Sequence, residues 1–158
     1  MSSPLYSQTV AYTVRALVNL AREPAGTYKM NKRIAFEEGI PAPYLSKLLQ
    51  HFARLELLRS TKGPTGGFAL ELSPRQVRLI DIVAPLDGLA KYRRCAGGLP
   101  ECSDEMPCSM HKKWTELRGQ ILAYLENTTL EDLAAGISDK EKALQRKKKR
   151  ARRRVRRA

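Results

Sequence analysis

Two short runs of β-forming residues face each other across a glycine-rich turn, and they follow directly on a pair of helices. Leu57-Leu58-Arg59-Ser60-Thr61 reads as an outgoing strand, Lys62-Gly63-Pro64-Thr65-Gly66-Gly67 as the turn and Phe68-Ala69-Leu70-Glu71-Leu72 as the returning strand. Upstream, Val10, Val14, Leu17, Val18 and Ala21 recur at helical spacing within residues 8–22, and Pro24 and Gly26 end that helix. A second helix fits Asn31–Glu38, with Ile34 and Ala35 inward and Gly39 as its stop. The turn Gly39-Ile40-Pro41-Ala42-Pro43 leads to a third, over roughly Pro43–Leu55. Its apolar face is Leu45, Leu48, Leu49 and Phe52, which leaves Tyr44, Ser46, Lys47, Gln50 and Arg54 pointing outward.

Two helices joined by a tight glycine-containing turn form a helix-turn-helix, a unit that also occurs as mere packing. A hairpin directly behind it makes the pair a winged helix. With Lys62 beside the turn glycines, that arrangement points to double-stranded DNA as the partner. Tyr44, Ser46, Lys47 and Gln50 are then the candidates for the major groove, and Lys62 for the adjacent minor groove or backbone.

Ser73-Pro74 reads as an N-cap and first helical position, starting a fourth helix that runs to about Ala84, with Val77, Ile80, Ile82 and Val83 inward and Pro85 and Gly88 closing it. Residues 89–108 show no periodicity and hold Gly97, Gly98, Pro100 and Pro107, so they are expected to be a loop. Ser109 can cap a long helix through about Glu126, with Trp114, Leu117, Ile121, Tyr124 and Leu125 at three- and four-residue steps. That stripe suits a dimer seam, or a return to pack on the first helix. Thr128 with Glu131 fits a capping box for a last short helix ending near Gly136. The expected fold class is therefore mainly α with a small β-hairpin. The expected domains are 1–88 for the winged helix-turn-helix, 89–108 for a cysteine loop, 109–137 for the dimerisation and C-terminal helices, and 138–158 for a basic disordered tail.

Charge divides along the same boundary. The chain of 158 residues carries 29 Lys and Arg against 16 Asp and Glu, a net charge of +13. Residues 138–158 contain 12 basic and 2 acidic residues, so the tail accounts for most of it. Like-charge blocks are usually solvated. A cationic arm beside a DNA-binding domain can also add phosphate contacts that strengthen binding to any sequence. No apolar run approaches the ~18–20 residues of a membrane span, and the amino terminus shows no basic segment followed by a hydrophobic one. The expectation is a soluble, cytoplasmic, nucleoid-associated protein.

Three cysteines, Cys95, Cys102 and Cys108, fall in one 14-residue window, with His111 three residues after the last. An odd, clustered set is not a disulfide framework; such thiols bind metal or do redox chemistry. Three soft thiolates and a borderline imidazole suit zinc or an iron–sulfur cluster. The close Cys pair of a zinc knuckle is missing, and wide glycine-rich gaps can wrap a larger cluster. Inert or redox-sensitive thiols are the alternative, and His111 taken alone would be a helix-surface histidine. A thiol redox enzyme is disfavoured because no nucleotide loop, Cys-x-x-Cys or Ser–His–Asp set is present, and His51 reads as a residue of the third helix.

The helix Gln8–Ala21 with Tyr12, the wing Lys62–Phe68, and the segment from Arg94-Cys95 through Cys102, Cys108, His111 and Trp114 to Asn127-Thr128-Thr129-Leu130 together resemble the Rrf2 family of winged-helix transcription regulators. The likeness is greatest to its iron–sulfur cluster regulators and covers roughly residues 5–137. It implies a homodimer on promoter DNA with one 2Fe-2S cluster per subunit, ligated by Cys95, Cys102, Cys108 and His111, two per iron. The function implied is transcriptional control in response to cluster, iron or redox status. Relatives with a 4Fe-4S cluster use an acidic residue just before the first-helix tyrosine; Ala11 stands there and favours the histidine-ligated form. The iron–sulfur regulators also carry an acidic residue two positions after the recognition-helix tyrosine. Here Tyr44 matches but that position is Ser46, which does not repel phosphate or guanine acceptors, so promoter discrimination does not carry over. A zinc-stabilised winged helix without a sensing role is the alternative reading.

Overall fold

A computed structural model describes residues 5–64, 66–100 and 102–140. The expectations for the basic tail after residue 140 fall outside the described residues, as do Thr65 of the wing turn and Glu101 of the cysteine loop.

Helix α1 (Gln8–Ala21) starts where the Ser7 hydroxyl accepts the Val10 N–H, and it buries Val10, Ala16, Leu17, Val18 and Leu20. Helix α2 (Asn31–Glu38) turns Ile34 and Ala35 inward and ends at Gly39, at φ 62°. Helix α3 (Ala42–Arg54) buries Leu45, Leu48, Leu49 and Phe52. Strands β1 (Leu58–Thr61) and β2 (Gly67–Leu70) pair antiparallel, with Leu58 opposite Leu70 and Thr61 opposite Gly67. The helix-turn-helix and its wing stand as the residue pattern predicts.

The wing is not free-standing. The Lys29 N–H donates to the Phe68 carbonyl at 2.9 Å, and the Phe68 N–H donates back to the Lys29 carbonyl at 3.0 Å. A two-stranded hairpin alone is marginal in water, so this third pairing partner matters. It also explains Gly67, where a Cβ would lie 2.2 Å from the Lys29 carbonyl oxygen. The Lys29 side chain is buried and donates to Asn19 Oδ1 at 2.8 Å, Glu23 Oε1 at 2.8 Å and Glu37 Oε2 at 2.6 Å. Burial pulls this ammonium down, but Glu23 and Glu37 outweigh it and leave Lys29 above the usual lysine value. Hydrogen bonds from Lys29, Asn19 and Arg33 push the Glu37 carboxyl down to about 2.

Helix α4 (Leu79–Asp87) departs from expectation at both ends. It begins at Leu79, not Ser73-Pro74, because residues 77–79 are drawn into pairing with 128–130. The Leu79 N–H donates to the Thr128 carbonyl and the Leu130 N–H to the Val77 carbonyl, each at 2.9 Å. Ser73–Gln76 makes only a turn, and Asp81 accepts the Arg78 N–H to cap the later start. Pro85 lies inside the last turn, where it removes one intrahelical hydrogen bond, and the helix continues to Asp87 with Gly88 as its C-cap.

A short helix α5 (Ala90–Arg93) occupies the start of what reads as loop, held because Tyr92 is buried and its hydroxyl donates to the Leu5 carbonyl. Helix α6 (His111–Asn127) follows the cysteine loop. Residues 130–140 are helical, capped by Thr129 and Asp132 in place of Thr128 and Glu131, so this helix runs past the expected end near Gly136 and takes in 138–140, the start of the expected tail. Leu125 and Leu130 are fully buried in the same core as Leu17, Leu45, Phe52 and Ile82. Helix α6 is thus anchored at its C-terminal end, while Leu117 and Tyr124 remain exposed.

Candidate metal centre and nucleic-acid interface

On α3, Tyr44, Lys47 and Gln50 recur every three residues and share the face opposite the buried leucines. All three are exposed, as is Lys62 just past β1 in the wing. Ser46 is half-buried and its hydroxyl accepts from the Gln50 amide at 3.4 Å. The Tyr44 hydroxyl hydrogen-bonds Thr9 Oγ1 at 2.7 Å, and its ring meets Tyr12 edge-on with centroids 6.2 Å apart. The outward face of α3 is therefore braced against the first two turns of α1. His51 lies lower on α3, edge-on to Phe52.

The loop between α5 and α6 gathers the four candidate ligands into two pairs. Cys95 Sγ and Cys108 Sγ are 3.7 Å apart, and Cys102 Sγ is 3.5 Å from His111 Nδ1. The cysteines are half-buried and free of disulfides. Gly97 lies against the first pair: a Cβ there would meet Cys95 Sγ and Cys108 Sγ at 3.6 Å each. Backbone N–H groups of Leu99 and Gly97 pull the Cys95 thiol below its ordinary value against the effect of burial, and the Cys108 and Cys102 thiols add to this. A lowered thiol is readier to become the thiolate that binds metal.

His111 opens α6, with its N–H on the Cys108 carbonyl at 3.0 Å and its imidazole buried. Its Nε2 lies 2.7 Å from Asp104 Oδ1 and 3.5 Å from Thr115 Oγ1. The loop is tied down at its start, where the Trp114 indole N–H donates to the Arg94 carbonyl at 2.8 Å.

These separations can be compared with what a metal demands. Donors on one tetrahedral ion, with sulfur at ~2.3 Å and imidazole nitrogen at ~2.0–2.1 Å, stand ~3.8 Å apart for two sulfurs and ~3.5–3.6 Å for sulfur and nitrogen. The two pairs match those spacings. Among the described residues, however, no three such donors are placed to share one ion. Cys95, Cys102, Cys108 and His111 are the residues that could hold a metal or cluster here.

Comparison with known proteins bears on the whole assembly. The sequence profile of the Rrf2 family, described as an iron-dependent transcriptional regulator, matches residues 6–136. The chain belongs to the Rrf2 family of transcriptional regulators. A relative in Aquifex aeolicus, described as an HTH-type transcriptional regulator, is 34% identical over 131 residues, covering 82% of this chain and 90% of that one. The structure of CymR, the global cysteine regulator of B. subtilis, superposes with a TM-score of 0.70 at 25% identity, over 82% of this chain and 95% of that one. T. potens IscR superposes with a TM-score of 0.64 at 28% identity, over 87% and 88%.

As an Rrf2 protein the chain is a DNA-binding transcriptional regulator and not an enzyme, which sets aside the thiol redox enzyme. No helix among the described residues is long and apolar enough to cross a membrane. Sequence reasoning missed three residues of this Rrf2 site. Thr9 gives no signal of its own, because its partner Tyr44 lies 35 residues along the chain; Gly97 reads in the sequence only as a loop residue, not as one lying against Cys95 and Cys108. Asp104 sits two residues after Cys102, but a loop carboxylate near a ligand is legible only once its direction is known.

Proposed function

We propose that this Rrf2 regulator binds promoter DNA as a homodimer and senses cluster, iron or redox status through a 2Fe-2S cluster. Cys95 and Cys108 would hold one iron and Cys102 and His111 the other. The observation that carries this reading is the pairing of the four donors at 3.7 and 3.5 Å. When bound, the cluster supplies a redox-active and oxygen-labile centre whose presence depends on cellular iron and sulfide.

The chain's own residues define the rest. Tyr44, Ser46, Lys47 and Gln50 would enter the major groove, with Lys62 of the wing at the neighbouring groove or backbone. The loop connects to this face through successive contacts. Trp114 holds Arg94, Tyr92 holds Leu5, and Asp87 accepts the Ser7 N–H at 2.7 Å where α1 begins. Two residues on, Thr9 holds Tyr44. Ordering the loop would thereby set the start of α1 and the seat of α3. The exposed stripe of Leu117 and Tyr124 on α6 supports a second copy as its cover.

Anaerobic purification with an absorption spectrum and iron and sulfide analysis tests the proposal. Red-brown protein with equal iron and sulfide, two of each per chain, is the expected result. Colourless protein with one zinc per chain would instead establish the zinc-stabilised regulator without sensing.

A further inference from the structure

We infer that Asp104 is a positioning residue for the metal centre: its carboxylate holds His111 as the Nε2–H tautomer and presents Nδ1 as the ligating atom. The inference rests on the proposed role of His111 as a ligand and names how that ligand is prepared.

An ionised carboxylate only accepts hydrogen bonds. With Asp104 Oδ1 at 2.7 Å, His111 Nε2 must carry the proton and donate it. In the neutral ring Nδ1 then keeps its lone pair, and Nδ1 is the atom 3.5 Å from Cys102 Sγ, the spacing expected for two donors on one tetrahedral metal. If Nε2 were the ligand, its lone pair would face Asp104 and Cys102 would lie on the wrong side of the ring. Carboxylate–histidine–metal chains of this kind orient the ring and raise its basicity.

Position separates this role from structural support. The Asp104 side chain is 96% exposed while His111 is 10% exposed, so this surface hydrogen bond contributes little to folding. Thr115 Oγ1, one helical turn along, meets Nε2 only at 3.5 Å, a longer and weaker contact than the carboxylate at 2.7 Å. The buried imidazole therefore takes its orientation from a residue that costs the fold almost nothing to change.

The test compares wild type with Asp104→Ala, Asp104→Asn and His111→Ala, each reconstituted anaerobically with iron and sulfide. Cluster release to a chelator is followed by absorbance. Pulsed EPR of the reduced cluster is recorded with histidine labelled at Nδ1 or at Nε2. Wild type should show the strongly coupled nitrogen at Nδ1. Asp104→Ala should release its cluster about 10-fold or more faster, the usual penalty for losing such a partner. Asp104→Asn should release it near the wild-type rate, since its amide oxygen still accepts from Nε2–H without the charge. Strong coupling at Nε2, or an Asp104→Ala protein that retains its cluster as wild type does, overturns the inference. So does Asp104→Asn behaving like Asp104→Ala, which would assign a charge effect. A His111→Ala protein with wild-type spectrum and release would show that the underlying ligand assignment fails, whatever Asp104 does.

Discussion

Lys29 and Phe68, 39 positions apart in the sequence, exchange both of their main-chain hydrogen bonds at 2.9 and 3.0 Å. This pairing joins the wing to the segment entering α2, and the buried Lys29 side chain then ties that segment to Asn19 of α1 and Glu37 of α2. One residue locks the relative placement of the wing and the helix-turn-helix.

Substituting Gly67 by alanine should break this lock. The new Cβ would sit 2.2 Å from the Lys29 carbonyl oxygen and 2.5 Å from its carbon, backbone atoms that cannot give way without parting the strands. Overpacking of this kind costs ~1–3 kcal/mol. Urea unfolding should show the loss, and DNA affinity should fall with it; unchanged stability would mean the wing docks elsewhere.

Acid should weaken the same junction through Glu37. Its carboxyl is held at about 2 by Lys29, Asn19 and Arg33, below the ~4.3 of an unfolded glutamate. The stability it adds is complete above that unfolded value and disappears as pH falls through 2. Glu37→Gln should therefore be less stable than wild type at neutral pH and lose less stability between ~pH 4 and ~pH 2. Parallel acid profiles for the two proteins would contradict this assignment.

On DNA, Lys62 and Gln50 should fail in different ways. Lys62→Ala is expected to weaken binding to all duplexes and reduce the log–log salt slope by ~0.9, the value of one neutralised phosphate. Gln50→Ala should leave the slope alone and relax base preference at one position by ~1–3 kcal/mol. Salt titrations on operator and scrambled duplexes separate the two.

Deleting Lys140–Ala158 should weaken binding to specific and random duplexes by similar factors. The salt slope should flatten by ~0.9 for each phosphate that the tail neutralises. A slope identical to wild type would show that the tail is only solvated.

Placing a charge on the open face of α6 should separate the protomers of the proposed homodimer. Leu117→Glu leaves the core untouched, because Leu117 is half exposed while Leu125 is fully buried in the core. Sedimentation should report a folded monomer with weakened affinity for two-half-site DNA. A persistent dimer would place the interface on another surface.

Helices α1, α2 and α3, the hairpin and the outward positions Tyr44, Lys47 and Gln50 are legible in the residues alone, because apolar spacing, Gly39 and the glycine-rich turn are local signals; Ser46, expected outward with them, is half-buried against Gln50. The cysteines and His111 single themselves out as candidate metal ligands by their chemistry and clustering. Which donor pairs with which is not legible: an irregular loop with Gly97 and Gly98 permits many pairings, and only the packed chain sets Cys95 against Cys108 and Cys102 against His111. The start of α4 escapes the residue pattern for the same reason. Ser73-Pro74 is a sound local helix start, but residues 128–130 compete for the backbone of 77–79 and win. Lys29 and Asp104 look like ordinary surface charges in the sequence. Burial of the first among Asn19, Glu23 and Glu37, and the aim of the second at a buried imidazole, arise from contacts between segments, which residue order constrains only through the finished fold.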